Sequence, residues 1–260
     1  LYYIFWKEIY IKILTNRNYS DRTIETYTCY LEKFLNDIKK NPYHITLKDI
    51  ENYLISTSYS SISQQNQIIG SLKLFAKYIL KKKDVHLNKI ERPNKEKKLP
   101  LVIESNHLKE TILGIQNLKH KAILMLGYSC ALRVSEVVNL EIKDVDSKRM
   151  LINIRNAKGR KDRIVKMSET LLYTLRDYYS EFKPTTYLFN GQFSKQYSTT
   201  SCNKLVKKYL GVNYHFHTLR HSGATTMLEN GTDVSLIQKI LGHQEIKTTM
   251  IYTHISQKSI

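Results

Sequence analysis

The sequence predicts a mainly α protein with a small β-sheet, built as a helical N-terminal domain followed by an α+β domain. Three observations lead there. Apolar residues recur at three- and four-residue steps through most of the chain, the period of an amphipathic helix. One segment, MLINIRNAKGRKDRIVKM, alternates instead about a Lys-Gly turn and reads as a β-hairpin. Between two core-forming patterns lies NKIERPNKEKKLP, whose prolines and charges leave few large apolar groups. With 260 residues, 42% hydrophobic and 25% charged, the chain is long and apolar enough for one large domain or two ordinary ones.

The opening stretch LYYIFWKEIYIKIL is the most apolar, but Lys7, Glu8 and Lys12 interrupt it. It is too short to span a bilayer and reads as an amphipathic helix, not a signal peptide. A second helix follows the Ser20-Asp21 start signal, with Ile24, Tyr27, Tyr30, Leu31 and Phe34 on one face. Thr46 is the N-cap expected for ITLKDIENYLIS. SSISQQNQIIGSLKLFAKYILKKK reads as a long fourth helix ending in Lys81, Lys82 and Lys83, where positive charge suits the C-terminal dipole. The domain boundaries follow: a helical bundle over 1–90, a linker over 91–99 and a second domain over 100–260. Composition alone fits a surface loop equally well; the second periodic pattern starting at once after it favours a linker. That second domain opens with helical NHLKETILGIQ and HKAILMLGYSCALRVSEVVNL, passes through the hairpin and returns to helix.

The charge balance narrows the partner. Lys and Arg number 41 against 23 Asp and Glu, a net +18, which favours a polyanionic partner. Nucleic acid is the commonest; a merely soluble basic protein, or one drawn to anionic lipid, is the alternative. The excess is shared between residues 1–95 (16 basic, 9 acidic) and the remainder (25 basic, 14 acidic). Two basic lobes on a basic linker suit a clamp around a duplex, with phosphate contacts setting affinity. Cys29, Cys130 and Cys202 are widely spaced and form no CxxC pair, so neither a disulfide framework nor a zinc cluster is expected and a reducing cytoplasm fits. No membrane span is expected.

Few residues declare chemistry by themselves. Arg133, in CALRVSEVV, sits among apolar residues in a helical pattern and needs an anionic partner. Glu136, three residues on, offers a structural bridge. His217 and Arg220 share a face in FHTLRHSGATTML and suit a phosphate, although an ordinary polar helix start reads the same way. His215, His217 and His221 invite a metal, but no cysteine or nearby carboxylate completes a site, so no metal is expected. Lys158 lies at the hairpin tip beside Gly159, a common place for an exposed lysine. Tyr252 is one tyrosine among 19.

Together these elements carry more. Arg133 in ALRVSE, Lys158 on a hairpin, HTLRH, LGH and IYTH stand in the order and spacing of the tyrosine recombinase family, which includes phage-type integrases and Xer-like recombinases. The resemblance spans nearly the whole chain. It implies a helical core-binding domain over 1–90 and an α+β catalytic domain over 100–260. It also implies a site-specific DNA recombinase that cleaves through a 3′-phosphotyrosyl intermediate and a Holliday junction, without a cofactor. The task would be integration or excision of a mobile element, or Xer-like resolution.

The resemblance implies roles by position. Tyr252 attacks; Arg133 and Arg220 hold the non-bridging oxygens; Lys158 protonates the leaving 5′-oxygen. His217 assists proton transfer with the tyrosine, whose ordinary pKa of ~10 keeps it protonated. His243 hydrogen-bonds the phosphate, and Glu136 orients Arg133 or its neighbours. Lys81, Lys82, Lys83, Lys95, Lys97, Lys98, Arg160 and Lys161 are candidate DNA contacts. Expected partners are duplex DNA with inverted-repeat arms and three further protomers, identical or from a related recombinase, in a tetramer. Ala157, Gly223 and Lys166 depart from frequent glycine, aromatic and proline positions without removing a catalytic group. Eight residues follow Tyr252, where relatives commonly extend a helix into a neighbour; the N-terminal helix is then a candidate coupling element. A type IB topoisomerase and a helical DNA-binding protein without catalysis are the competing readings.

Overall fold

The computed structural model describes residues 2–81, 92–93, 99–155 and 162–256, apart from the side chains of residues 2, 3 and 254–256. It divides into two compact units, Leu1–Lys97 and Lys98–Ile260.

The first unit is built from α1 (Tyr2–Asn16), α2 (Asp21–Ile38), α3 (Leu47–Ser56) and α4 (Ile62–Tyr78). Each start after the first is fixed by a side chain that accepts an otherwise orphaned N–H. Ser20 takes that of Thr23, Ser61 that of Gln64, and Thr46 forms a reciprocal capping box with Asp49. The apolar stripes meet in a core of Tyr10, Leu14, Leu31, Phe34, Ile50, Leu72 and Phe75. The buried Tyr10 hydroxyl donates to the Ser71 carbonyl at 2.9 Å, so this large ring enters the core without an unpaired polar group.

The fourth helix is shorter than its sequence suggests. It stops at Tyr78, and the N–H groups of Ile79 and Leu80 both turn back to the Phe75 carbonyl. Lys81 follows in the left-handed region at φ 54°. The turn brings Ile79 and Leu80 onto the core, and that contact ends the helix before the lysines. Lys81 is therefore outside the last helical turn, while Lys82, Lys83, Lys95, Lys97 and Lys98 lie outside the described residues.

The second unit is organised around α6 (Leu118–Ser129), preceded by α5 (Ser105–Leu113). In α6 the run Ala122–Tyr128 is buried on every side, which marks a central helix. It is followed by a short α7 (Val134–Asn139) and a three-stranded antiparallel sheet: β1 (Val145–Asp146), β2 (Leu151–Ile154) and β3 (Arg163–Lys166). The β2–β3 register pairs Leu151 with Lys166 and Ile154 with Arg163, the hairpin expected from the alternation. The two-residue β1 adds an edge strand too short to leave a sequence signal. Lys158, Arg160 and Lys161 at the hairpin tip lie outside the described residues. The remainder is helical: α8 (Glu169–Phe182), α9 (Thr199–Leu210), α10 (Phe216–Glu229), α11 (Val234–Leu241), α12 (Ile246–Thr249) and α13 (Ile251–Ser256).

Helices α6 and α10 cross closely, and two glycines allow it. A Cβ on Gly223 would lie 2.1 Å from the Tyr128 carbonyl oxygen, and one on Gly127 would lie 2.7 Å from the Phe216 ring. An aromatic at Gly223 is thus incompatible with this packing. Among the described residues no helix is long and apolar enough to cross a membrane.

Candidate active site

The site begins where a helix breaks. The apolar CALRV run reads as continuous helix, but α6 ends at Ser129 and Ala131 adopts φ 49°. Arg133 is the N-cap residue of α7, not an interior helical residue. Its backbone N–H donates to Glu136 Oε2 at 2.8 Å, and its Nη1 donates to Oε1 at 2.7 Å. The bridge between these residues exists, as a cap that aims the guanidinium, not as a pair on a continuous helix.

Glu136 is the hub of a larger cluster. Arg163, at the start of β3, grips the same carboxylate with two bonds, Nη1 to Oε1 at 2.7 Å and Nη2 to Oε2 at 2.8 Å. Arg220 Nη1 lies 4.0 Å from Oε2. Burial works against the charge of Glu136, but bonding to Arg163 and Arg133 outweighs it and holds the carboxyl down to about 2. Sequence reading missed Arg163, because nothing distinguishes it from its neighbours Arg160 and Lys161 until the strand register is known.

The C-terminal end of α11 supplies the opposing contacts. Its last carbonyls have no helical partner and sit at the negative end of the dipole. Arg163 Nε donates to the Ile240 carbonyl at 2.7 Å and Arg220 Nη2 to that of Leu241 at 2.6 Å. Arg220 Nη1 reaches the Ala131 carbonyl at 2.6 Å, exposed by the helix break. Arg220 is 1% exposed, and burial, then Arg133, lowers its pKa to about 10, which leaves it charged at neutral pH.

Gly242 closes α11 in the left-handed conformation at φ 62°, and the chain then presents His243 to the same cluster. His243 Nε2 lies 3.3 Å from Arg220 Nη2, and Nδ1 lies 3.0 Å from Thr249 Oγ1. The LGH motif is thus a helix stop that delivers a histidine. Burial, followed by Arg220 and Arg133, lowers the pKa of His243 to about 4.

Tyr252, on α13, is 2% exposed and packs with Ala131, Ala224, Ile237 and Leu241. Its hydroxyl lies 3.1 Å from Nδ1 of His221, one residue past Arg220. Burial raises the phenol pKa, while Arg220 and Arg133 pull it back down. His217 stands one helical turn before His221, with ring centroids 4.4 Å apart. It remains exposed, yet loss of hydration and then Arg220 hold its pKa below the ordinary histidine value. His215 caps α10 beside Thr218, and no group of three or more His, Cys, Asp or Glu among the described residues is arranged for a metal.

The structure therefore brings together Arg133, Glu136, His217, Arg220, His243 and Tyr252. It adds Arg163, His221 and Thr249. Of these, His221 carried a sequence signal, the four-residue step from His217 that puts both on one helix face. Cationic groups around one carboxylate, with a buried phenol at the edge, are the arrangement expected of an enzyme class that handles an anion with a tyrosine.

Comparison with known proteins gives that class its family. The phage integrase family model matches residues 100–259, and the N-terminal SAM-like domain of phage integrases matches residues 7–84. Tyrosine recombinase XerA of Pyrococcus horikoshii is 36% identical over 250 residues, covering 93% of this chain and 86% of the relative. Tyrosine recombinase XerD of Staphylococcus epidermidis is 32% identical over 275 residues, covering 95% and 92%. The crystal structure of XerA recombinase superposes with a TM-score of 0.56 at 30% identity, covering 99% of this chain and 96% of that one. The fold is also that of XerH bound to palindromic difH substrate in a post-cleavage complex, with a TM-score of 0.75 at 23% identity and coverage of 97% and 82%. The chain belongs to the phage integrase family and is a tyrosine-type site-specific recombinase.

Proposed function

We propose that the chain binds duplex DNA bearing short inverted-repeat arms and assembles on it as a tetramer, of itself or with a related recombinase. It then exchanges strands in pairs through a Holliday junction. The observation that carries this reading is the charge balance of the site. Arg133, Arg163 and Arg220 converge on one carboxylate, Glu136, leaving an excess of two positive charges in a largely buried cluster. Such an excess is costly unless an anion joins it, and a scissile phosphate is the anion that suits this family.

In this reading Arg163 is occupied by Glu136 and the Ile240 carbonyl, so it holds the carboxylate in place. Arg133 and Arg220 take the non-bridging oxygens of the phosphate, and His243 donates a further hydrogen bond. Tyr252 attacks phosphorus to form a 3′-phosphotyrosyl link, and Lys158 protonates the departing 5′-oxygen. His217 assists proton transfer with the phenol. The nucleophile, charge neutralisation and acid are all side chains, so the assignment calls on no cofactor. The link keeps the energy of the broken bond, which makes rejoining possible.

Residues 1–90 serve as the core-binding domain, 91–99 as the linker and 100–260 as the catalytic domain. The basic residues Lys81, Lys82, Lys83, Lys95, Lys97, Lys98, Arg160 and Lys161 supply backbone contacts, which make affinity fall steeply with salt. The biological task is integration or excision of a mobile element, or Xer-like resolution.

The test starts from a randomised duplex pool, from which the protein selects its inverted repeat. A suicide version of that duplex, nicked beside the cleavage site, should trap a covalent protein–DNA adduct. Tyr252→Phe should abolish the adduct while leaving duplex binding intact. An adduct that persists in Tyr252→Phe would remove Tyr252 as the nucleophile.

A further inference from the structure

The geometry points to His221 as a further catalytic residue, which holds the Tyr252 hydroxyl and takes its proton as the phenol attacks. This inference rests on the assignment of Tyr252 as the nucleophile. His221 Nδ1 stands 3.1 Å from the phenol oxygen, within hydrogen-bond reach of the proton that must leave. The two rings lie 5.7 Å apart and tilted by 49°, so they do not stack, and they meet through the polar atoms. His217 approaches the ring of His221 at 4.4 Å and 77°. The three residues thus form a file from the exposed His217 through the half-buried His221 to the buried Tyr252.

An acceptor must be neutral, and the surroundings of His221 keep it so. Burial, then His217, Arg220, His215 and His243, press its pKa down to about 3. The tautomer that accepts from the phenol carries its proton on Nε2, leaving the Nδ1 lone pair facing Tyr252. The proton bookkeeping closes. The phenol oxygen bonds to phosphorus, the P–O5′ bond breaks, the phenol proton goes to His221 Nδ1, and the 5′-oxygen takes a proton from the general acid, here Lys158. On rejoining, His221 returns its proton to the departing phenol. The phosphate, entering between Tyr252 and the arginines, stabilises the imidazolium in transit. His217 then acts behind His221, exchanging protons with solvent.

The helix explains why His221 is the one in contact. Arg220 and His221 are adjacent on α10 and point in directions about 100° apart. Arg220 turns toward the carbonyls of Ala131 and Leu241, and His221 toward α13. One helical step therefore divides the work between phosphate and nucleophile.

The experiment is single-turnover cleavage of the suicide duplex with saturating protein, comparing the parent with His221→Ala, His221→Asn and Tyr252→Phe. Asparagine keeps a hydrogen-bond acceptor near the Nδ1 position but cannot take up a proton. Both His221 variants should bind the duplex like the parent and form the adduct on the order of 100-fold more slowly. A second duplex with sulfur at the bridging 5′ position has a leaving group that needs no protonation. It should restore the rate of Lys158→Ala and leave both His221 variants slow. Near-parental cleavage by either His221 variant, or rescue of either by sulfur, would overturn the proposal. If Ala alone misfolds, seen as a lowered thermal midpoint, the Asn variant decides. An adduct in Tyr252→Phe strikes the nucleophile assignment itself, so the two failures are distinguishable.

Discussion

The two walls of the site are held in different ways. The anion wall, formed by the break before α7, the start of β3 and the end of α11, is tied by several short charge-assisted bonds. Glu136 receives two bonds from Arg163 and two from Arg133, and each buried arginine also caps a helix-end carbonyl. The nucleophile wall, so named for the role proposed for Tyr252, is α13; among the described residues it is tied by packing with Ala131, Ala224, Ile237 and Leu241 and by the hydrogen bond between Tyr252 and His221. The difference matches two demands on such an enzyme. Electrostatic stabilisation works best when its dipoles need no rearrangement, whereas a nucleophile that is joined to DNA and released must be able to move.

The largest effect should come from removing the hub of the anion wall. Glu136→Ala leaves three guanidiniums facing each other without their carboxylate, and loss of one partner of a buried ion cluster costs about 3–5 kcal/mol. Urea unfolding should show that drop, and cleavage should fall with it. Glu136→Gln keeps the shape but not the charge and should lie between. The same wall predicts an acid sensitivity of definite sign. The Glu136 carboxyl is lowered from 4.5 to about 2, so its contribution is complete above about 4.5 and is lost as pH falls toward about 2. A unit whose stability stays flat between those limits, compared with its Glu136→Gln form, would show that the ion cluster contributes nothing net.

How much of this could be read beforehand depends on which distances matter. Helices announced by a cap and a stripe were legible: Ser20 and Thr46 start α2 and α3 where the sequence places them. The β2–β3 hairpin was legible from alternation alone. The break at Ala131 was not, because alanine carries no turn signature and the flanking apolar residues keep the helical period. The end of α4 was missed for a related reason, since lysines suit a helix terminus whether or not the helix reaches them. In the site, Arg133, His217, Arg220, His243 and Tyr252 were singled out by their order in the chain, and the fold places them together. Arg163 was not, because its claim rests on a contact with Glu136, 27 residues away in sequence. His221 was visible at the right step from His217, but only the position of α13 gives it a partner.

A second perturbation acts on α10, which contributes to both walls. Gly223→Ala would force a Cβ into the Tyr128 carbonyl, 2.1 Å away, pushing α10 off α6. Overpacking of this kind costs about 1–3 kcal/mol. Because α10 carries both Arg220 and His221, cleavage should fall more than the loss of stability alone accounts for. A Gly223→Ala protein of lowered thermal midpoint but unchanged cleavage at low temperature would show that both walls tolerate a shift of α10.

The smallest effect, and the most discriminating, concerns Thr249. Its side chain is buried at 1% exposure and meets His243 Nδ1 at 3.0 Å. Arg220 Nη2 donates toward His243 Nε2 across 3.3 Å, which makes Nε2 the acceptor and leaves the ring proton on Nδ1, donating to Thr249. A phosphate that draws Arg220 toward itself needs a donor from His243, so the proton must sit on Nε2 and Nδ1 must accept. A hydroxyl serves both tautomers because it donates and accepts; the equally sized valine serves neither. Thr249→Val should therefore weaken phosphate engagement by about 1 kcal/mol, a fewfold loss in single-turnover cleavage with little change in stability. Thr249→Ser should retain the parental rate. If valine cleaves as fast as threonine, His243 is held by Gln238 and the helix stop at Gly242 without help from the Thr249 hydroxyl.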